Sequence, residues 1–194
     1  MLLGENGCGK TTLLRLISRL EKPTRGVILQ NIDDKFGQKS KQSKKWYKKV
    51  GVVYQNPDYQ LFMPTFENEI KFGAKSDEYA DEIAEKFGIK HLYDRHPQSL
   101  SEGQKRRVSI AAVVATNPEV LILDEPTVGQ DYKGLCEMVE VLNRIHKETH
   151  NTMITVTHDK RCAAALCDRT VWIKDGKTYK TGDKQLIDEF FTIR

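Results

Sequence analysis

The stretch "MLLGENGCGKTTLLRLISRL", Met1 to Leu20, decides the fold. Two leucines make a short apolar stub and a glycine-rich turn follows. Leu13, Leu14, Ile17 and Leu20 then recur at helical spacing. Between stub and helix, Gly4-Glu5-Asn6-Gly7-Cys8-Gly9-Lys10-Thr11 fits G-x-x-x-x-G-K-[ST] in the strand–turn–helix setting this pattern requires. Glycines let backbone N–H groups curl around phosphate oxygens without Cβ interference, and the following helix points its positive end at the same charge. Lys10 is placed to reach the β- and γ-phosphates of a nucleoside triphosphate, and the Thr11 hydroxyl to ligate Mg²⁺.

Outward from that loop, "PTRG" ends the helix and "GVILQNID" reads as a strand. A lysine-rich stretch leads to the apolar strand "VGVVYQ", and residues 58–117 are mostly helical with a turn at "DRHPQ". "EVLILDEP" is a continuous apolar run ending in acids, the pattern of a buried parallel strand. "YKGLCEMVEVLNRIHKE" carries Leu135, Met138, Val139, Leu142 and Ile145 on one helical face. "NTMITVTHD" is another buried strand, "DRTVWIKDGKTYKTG" a hairpin turning at Asp175-Gly176, and a last helix covers about Lys184 to Phe191. Strands alternating with helices predict an α/β fold with a mostly parallel sheet. The expected organisation is one domain, 1–194, with a core of 1–57 and 118–194 and an inserted helical subdomain of about 58–117.

Asp124 and Glu125 end the strand "VLILDE", at the carboxyl edge where ligands bind in such sheets. Asp124 suits Mg²⁺ binding through water, and Glu125 is placed to polarise an attacking water. His158 closes a second strand in the equivalent position, and Gln55 ends a third, within reach of the metal or the water. Polar residues at several strand ends beside a phosphate loop support phosphoryl transfer by positioning and charge stabilisation.

Taken together, these residues resemble the ATPase subunits of ABC transporters, over essentially the whole chain. "GENGCGKT" is similar to the Walker A motif, "VLILDE" to the Walker B strand with its glutamate, Gln55 to the Q-loop and His158 to the switch histidine. "LSEGQ", Leu100 to Gln104, resembles the signature LSGGQ, and "VGQD" stands at the D-loop. The resemblance implies a P-loop nucleoside triphosphatase core of RecA-like kind with an α-helical subdomain inserted in it. It also implies head-to-tail pairing with a second ATPase subunit, identical or different. The chain's own ATP would then lie on Asn6, Gly7, Cys8, Gly9, Lys10, Thr11 and Thr12, with Mg²⁺ on Thr11, Gln55 and Asp124. Ser101, Gly103 and Gln104 would face the partner's ATP, and Asp131 would communicate across the pair. Ser101 three residues before Gln104 also fits a capping box, and the two roles can coexist, since a capped helix start still attracts anions.

A narrower resemblance lies in "QNPDYQLFMPTFENEIKFG", similar to the stretch after the Q-loop in energy-coupling-factor transporters and related cobalt or nickel importers. It implies docking on a transmembrane coupling subunit through Pro57, Asp58 and Gln60. A vitamin or transition-metal cargo, and a cytoplasmic place on the inner face of the cell membrane, follow from the same resemblance. The competing readings are a non-transport ABC ATPase and a non-catalytic regulatory nucleotide-binding partner.

Several positions depart from that pattern. The phosphate loop begins three residues after Met1, so the preceding strands and adenine-stacking aromatic residue are expected to be missing. A truncated central strand, an unprotected sheet edge and weaker nucleotide selectivity and stability are expected with them. The C-terminal segment that helps many energy-coupling ATPases dimerise is likewise expected to be absent. Gln130 stands where leucine is usual, and Glu102 where glycine is usual. A carboxylate a few ångströms from a triphosphate repels it by about 1 kcal/mol when well solvated. Glu102 is therefore expected to turn toward Lys105 or Arg106, one helical turn on.

The remaining features bound the function more loosely. The net charge of +4 is too small to imply nucleic acid by itself. Seven lysines lie between Lys35 and Lys49, with Trp46 and Tyr47 among them. Such interleaving can suit nucleic acid, but a solvated loop beside an anionic membrane is the blander reading, and no nucleic-acid partner is expected. No apolar run approaches the roughly 20 residues that cross a bilayer, and no signal peptide is expected. Cys8, Cys136, Cys162 and Cys167 show no zinc-like spacing and read as reduced thiols.

Overall fold

The computed structural model describes residues 1–26, 28 and 46–193. The expected strand "GVILQNID" and the lysines from Lys35 to Lys45 lie outside the described residues, Gly26 and Ile28 apart. The strands are β1 (Leu2–Leu3), β2 (Val50–Val53), β3 (Val120–Asp124), β4 (Thr152–Val156), β5 (Thr170–Lys174) and β6 (Lys177–Gly182). The helices are α1 (Lys10–Ile17), α2 (Phe66–Lys71), α3 (Asp77–Lys86), α4 (Glu102–Ala115), α5 (Tyr132–Thr149), α6 (Lys160–Leu166) and α7 (Gln185–Ile193).

One sheet runs in the order β2-β3-β4-β1-β5-β6. Leu121, Ile122 and Leu123 are fully buried in succession, as a parallel strand covered on both faces demands. Val50 to Val53 align with Val120 to Leu123, and Val120 to Asp124 with Thr152 to Val156, all parallel. β1, though only two residues long, is interior and pairs in parallel with both β4 and β5. The carboxyl ends of β2, β3, β4 and β1 therefore share one edge, and the segments that follow them are gathered there. β5 and β6 form the hairpin read from sequence, with Asp175 and Gly176 both at positive φ, as a tight two-residue hairpin turn needs.

The helical stretch does not stand apart from the sheet. Phe66, Ile70, Ile83 and Ile110 share one buried cluster with Leu121, Leu123 and Leu142. Gly51 permits that closeness: a Cβ there would lie 2.5 Å from Val113 Cγ1 and 3.0 Å from Pro118 Cγ. The periodicity at α1 overran the real helix, which ends at Ile17 with Ser18 as its cap. Arg19 then turns left-handed at φ 63° and Leu20 is left exposed. Gln55 and His158 lie two residues beyond their strands rather than at the ends. Among the described residues no helix is long and apolar enough to cross a membrane.

Candidate functional site

At the shared edge, a cleft of about 460 Å³ is lined by Asn6, Gly7, Gly9, Lys10, Thr11, Thr12, Gln55, Asp124, Glu125, Val156 and His158. Four loops following four parallel strands thus bring together almost every residue singled out for one nucleotide. Cys8 is the exception. Its side chain is buried, and its sulfur occupies the space that a Cβ on Gly4 would need, 2.4 Å away. Inside the loop the sulfur accepts from Lys10 Nζ at 3.9 Å, which leaves the Cys8 backbone for a ligand.

The start of α1 is unlike that of its neighbours. Its N-cap is Gly9 at φ 103°, with no side chain to accept a hydrogen bond. At α2, α3, α4, α5 and α6 the caps are Thr65, Ser76, Ser101, Asp131 and Asp159, each accepting from a backbone N–H. The first-turn N–H groups of α1 are therefore left for an anion. The Lys10 ammonium sits beneath them, buried, donating to the carbonyls of Gly4 and Glu5 at 2.8 Å each. Neutral carbonyls do not cancel its charge, so the cleft keeps a positive floor.

Opposite lie the acids. Burial pushes the Asp124 carboxyl above the usual range, opposed by Lys10 and then Arg106. Burial also raises Glu125, opposed chiefly by the backbone N–H of His158, which donates to Oε2 at 3.2 Å. Glu125 Oε1 is buried without a hydrogen bond, 3.6 Å from His158 Nε2. The residue is held left-handed at φ 53°, a conformation that costs a non-glycine residue about 1 kcal/mol. Its N–H is tied to Val156 O at 2.9 Å, so β4 helps to hold the strain. A buried carboxylate oxygen without a hydrogen bond, beside an imidazole, is equipped to take a proton from a water. The Thr11 hydroxyl, the Gln55 amide and the Asp124 carboxylate all line this cleft and offer oxygen, the donor set that suits Mg²⁺.

A second depression, of about 640 Å³, lies around the starts of α4 and α5 and includes Ser101, Glu102, Gly103, Gln104, Gln130 and Asp131. Here the capping box exists in full: Ser101 Oγ accepts from the Gln104 N–H, and Gln104 Oε1 from the Ser101 N–H. Glu102 is exposed and lies 3.8 Å from Lys105, in the direction expected. Arg106 takes no part in that pair. It is buried, and its guanidinium donates to the carbonyls of Tyr54, at 2.7 Å, and Gln55. Sequence reasoning missed this link between α4 and the β2 edge. Arg106 shares a buried face with Ile110 and Val114 at four-residue spacing, a signal that could have marked it as an inward cation.

The presumed docking residues are also redistributed. Gln60 does not project: its Oε1 accepts from the Tyr54 N–H at 2.9 Å and its Nε2 donates to Val52 O at 3.0 Å. Pro57 is buried, and Asp58 pairs with Lys105 at 2.8 Å. What faces outward nearby is Tyr59, with Phe62 packed edge-on against Phe72, each ring at least 66% exposed.

Comparison with known proteins agrees with this arrangement. Residues 1–128 match the family model described as ABC transporter. The chain is 42% identical over 200 residues to the energy-coupling factor transporter ATP-binding protein EcfA2 of Enterococcus faecalis, covering 95% of this chain and 67% of that protein. Among solved structures, cbiO1 from Clostridium perfringens, part of the ABC transporter complex cbiONQ, is 33% identical with a TM-score of 0.82. That match covers 99% of this chain and 79% of cbiO1. The ATP-binding cassette MJ0796, solved as a dimer in a post-hydrolysis state bound to ADP and Pi, is 27% identical with a TM-score of 0.75. There the coverage is 94% of this chain and 84% of MJ0796.

Proposed function

Because the chain belongs to the ABC transporter family, as an ATP-hydrolysing subunit, we propose that it powers an importer of the energy-coupling-factor type. The cargo is a vitamin or a cobalt or nickel ion, captured by a separate membrane component. The observation that carries the reading is the single cleft where Lys10, Gln55, Asp124, Glu125 and His158 meet.

In this reading the uncapped start of α1, with Asn6 to Thr12, holds the phosphates of ATP, and Lys10 draws charge from the β- and γ-oxygens. Thr11, Gln55 and Asp124 hold Mg²⁺, which supplies charge neutralisation to the phosphates. Glu125 orients and deprotonates the attacking water through its buried Oε1, and His158 steadies the charge that develops. Ser101, Gly103 and Gln104 serve the ATP of a second ATPase subunit, identical or different, paired head to tail. The exposed rings of Tyr59, Phe62 and Phe72 form the apolar part of the contact with a transmembrane coupling subunit, while Pro57 and Gln60 brace it from inside. In this reading the chain sits in the cytoplasm, peripherally on the inner face of the cell membrane. The organisation is one ABC ATPase domain, with a core of 1–57 and 118–194 and a helical subdomain of about 58–117.

The test is Mg-ATP hydrolysis by the full chain, alone and with candidate partner ATPases, against Glu125→Gln. The expected result is hydrolysis that falls at least about 100-fold in the variant while nucleotide binding persists. Binding without hydrolysis in every combination would replace this reading by the regulatory one.

A further inference from the structure

Gln130 has an amide that the proposed mechanism does not use. Its Nε2 donates to Gly103 O at 2.8 Å, tying the segment after Glu125 to the first turn of α4. The amide lies in a slot between two glycines. A Cβ on Gly103 would come within 3.1 Å of Nε2, and a Cβ on Gly134, in the first turn of α5, within 2.5 Å of Oε1. A Cβ on Gly134 would crowd the amide and, at 3.0 Å, also Asp131 Oδ1, the cap of α5. The bond also completes a restraint. The peptide group joining Gly103 to Gln104 has its N–H on Ser101 Oγ and its carbonyl on Gln130. It is pinned at both ends. The capping box consumes the N–H groups of Ser101 and Gln104, leaving those of Glu102 and Gly103 outside the helix's own ladder. Their direction depends on how that peptide group is set. Gln130 is itself held by a tight turn, Val128 N–H to Glu125 O at 3.3 Å and Gln130 N–H to Thr127 O at 3.2 Å.

We propose that Gln130 is a positioning residue: its side-chain amide, clasped between Gly103 and Gly134, aims the first turn of α4 at a triphosphate held by the partner ATPase and fixes that aim relative to Glu125. The inference rests on the proposed function, because it presumes a nucleotide facing Ser101 and Gly103. The fold does not depend on the clasp, since α4 keeps its capping box and α5 its Asp131 cap.

Two variants remove the clasp independently. Gln130→Met keeps the length and loses both polar atoms; Gly134→Ala displaces the amide but also crowds the Asp131 cap, so its melt is read beside its kinetics. Both are measured in the full chain within its ATPase assembly. Each is expected to lower kcat/KM for Mg-ATP about tenfold, the weight of one hydrogen bond to a positioned group. Nucleotide affinity of the separate chain should stay at the unmodified value in both, and the melting temperature in Gln130→Met. The double variant should be no worse than either single, because both act through one contact. Hydrogen exchange of the segment 99–104 should quicken in both. Unchanged kcat/KM in Gln130→Met, or losses that multiply in the double variant, would overturn the inference alone. Failure of the unmodified chain to bind and hydrolyse nucleotide in that assembly would overturn the proposed function, and this inference with it.

Discussion

In the proposed function, two helix starts of this molecule meet the same kind of partner by opposite means. α1 begins at Gly9, which has no side chain to cap with, so its first-turn N–H groups are free for phosphate. α4 begins with a closed capping box, and its peptide group after Gly103 is also clasped from outside. The first start is shaped by backbone geometry, open to a ligand of this chain's own. The second is stiffened by side chains, as a surface needs to be when its ligand arrives on another molecule. Preorganisation comes from left-handed glycine backbone and a buried lysine in one case, and from side-chain hydrogen bonds in the other.

The comparison can be broken most directly at Lys10. Replacing it with alanine should weaken Mg-ATP binding to the separate chain by at least about 100-fold, read by fluorescent-nucleotide titration. Changes around α4 should leave that titration alone. Ser101→Ala comes next: it should cost about 1 kcal/mol of stability through the lost cap. Hydrolysis should fall well beyond what a melt accounts for, again with binding to the separate chain unchanged. Equal losses of binding in both variants would erase the distinction between the two starts.

The acid at the centre sharpens it further. Burial raises the Glu125 carboxyl, so the acid limb of hydrolysis should lie above the ordinary glutamate value of about 4.3. The sign for stability follows: the folded chain holds this proton more tightly than the unfolded one, so raising the pH through that window costs stability. Glu125→Gln should therefore melt higher at neutral pH, with the advantage shrinking as the pH falls through the window. A thermal-melt series from pH 4 to 8 checks the slope, each unit being about 1.4 kcal/mol per full proton. The smallest effect belongs to Glu102→Gly. With the carboxylate turned to Lys105, hydrolysis should change by less than about threefold. A tenfold rise would show that it opposes the partner's phosphates.

What could be read from sequence was what lies close together in it. The phosphate loop is consecutive, and the acid pair ends an apolar run. The hairpin also announced itself through Asp175-Gly176, which turns where expected. Gln55 and His158 were found because the loops carrying them are short. Arg106 and the clasp on Gly103 were not, because their partners lie 51 or 52 and 27 residues away in sequence. Gln60 was read as a docking residue because its spacing does not show that it turns back onto Val52 and Tyr54. The helical rhythm through Leu20 misled for a related reason. Periodicity records which residues are apolar, and Leu20 is apolar but lies beyond a left-handed turn at Arg19.

Arg106 turns part of the molecule into a mechanical linkage. Its guanidinium grips the two carbonyls leading into Gln55, and the same stretch is braced by Gln60 beside the exposed ring of Tyr59. A load applied at that ring would tug on the cleft-facing amide and on the α4 barrel together, like a crank with two outputs. In the proposed function, the ring that meets the membrane subunit and both nucleotide contacts thus share one hydrogen-bonded stretch of backbone.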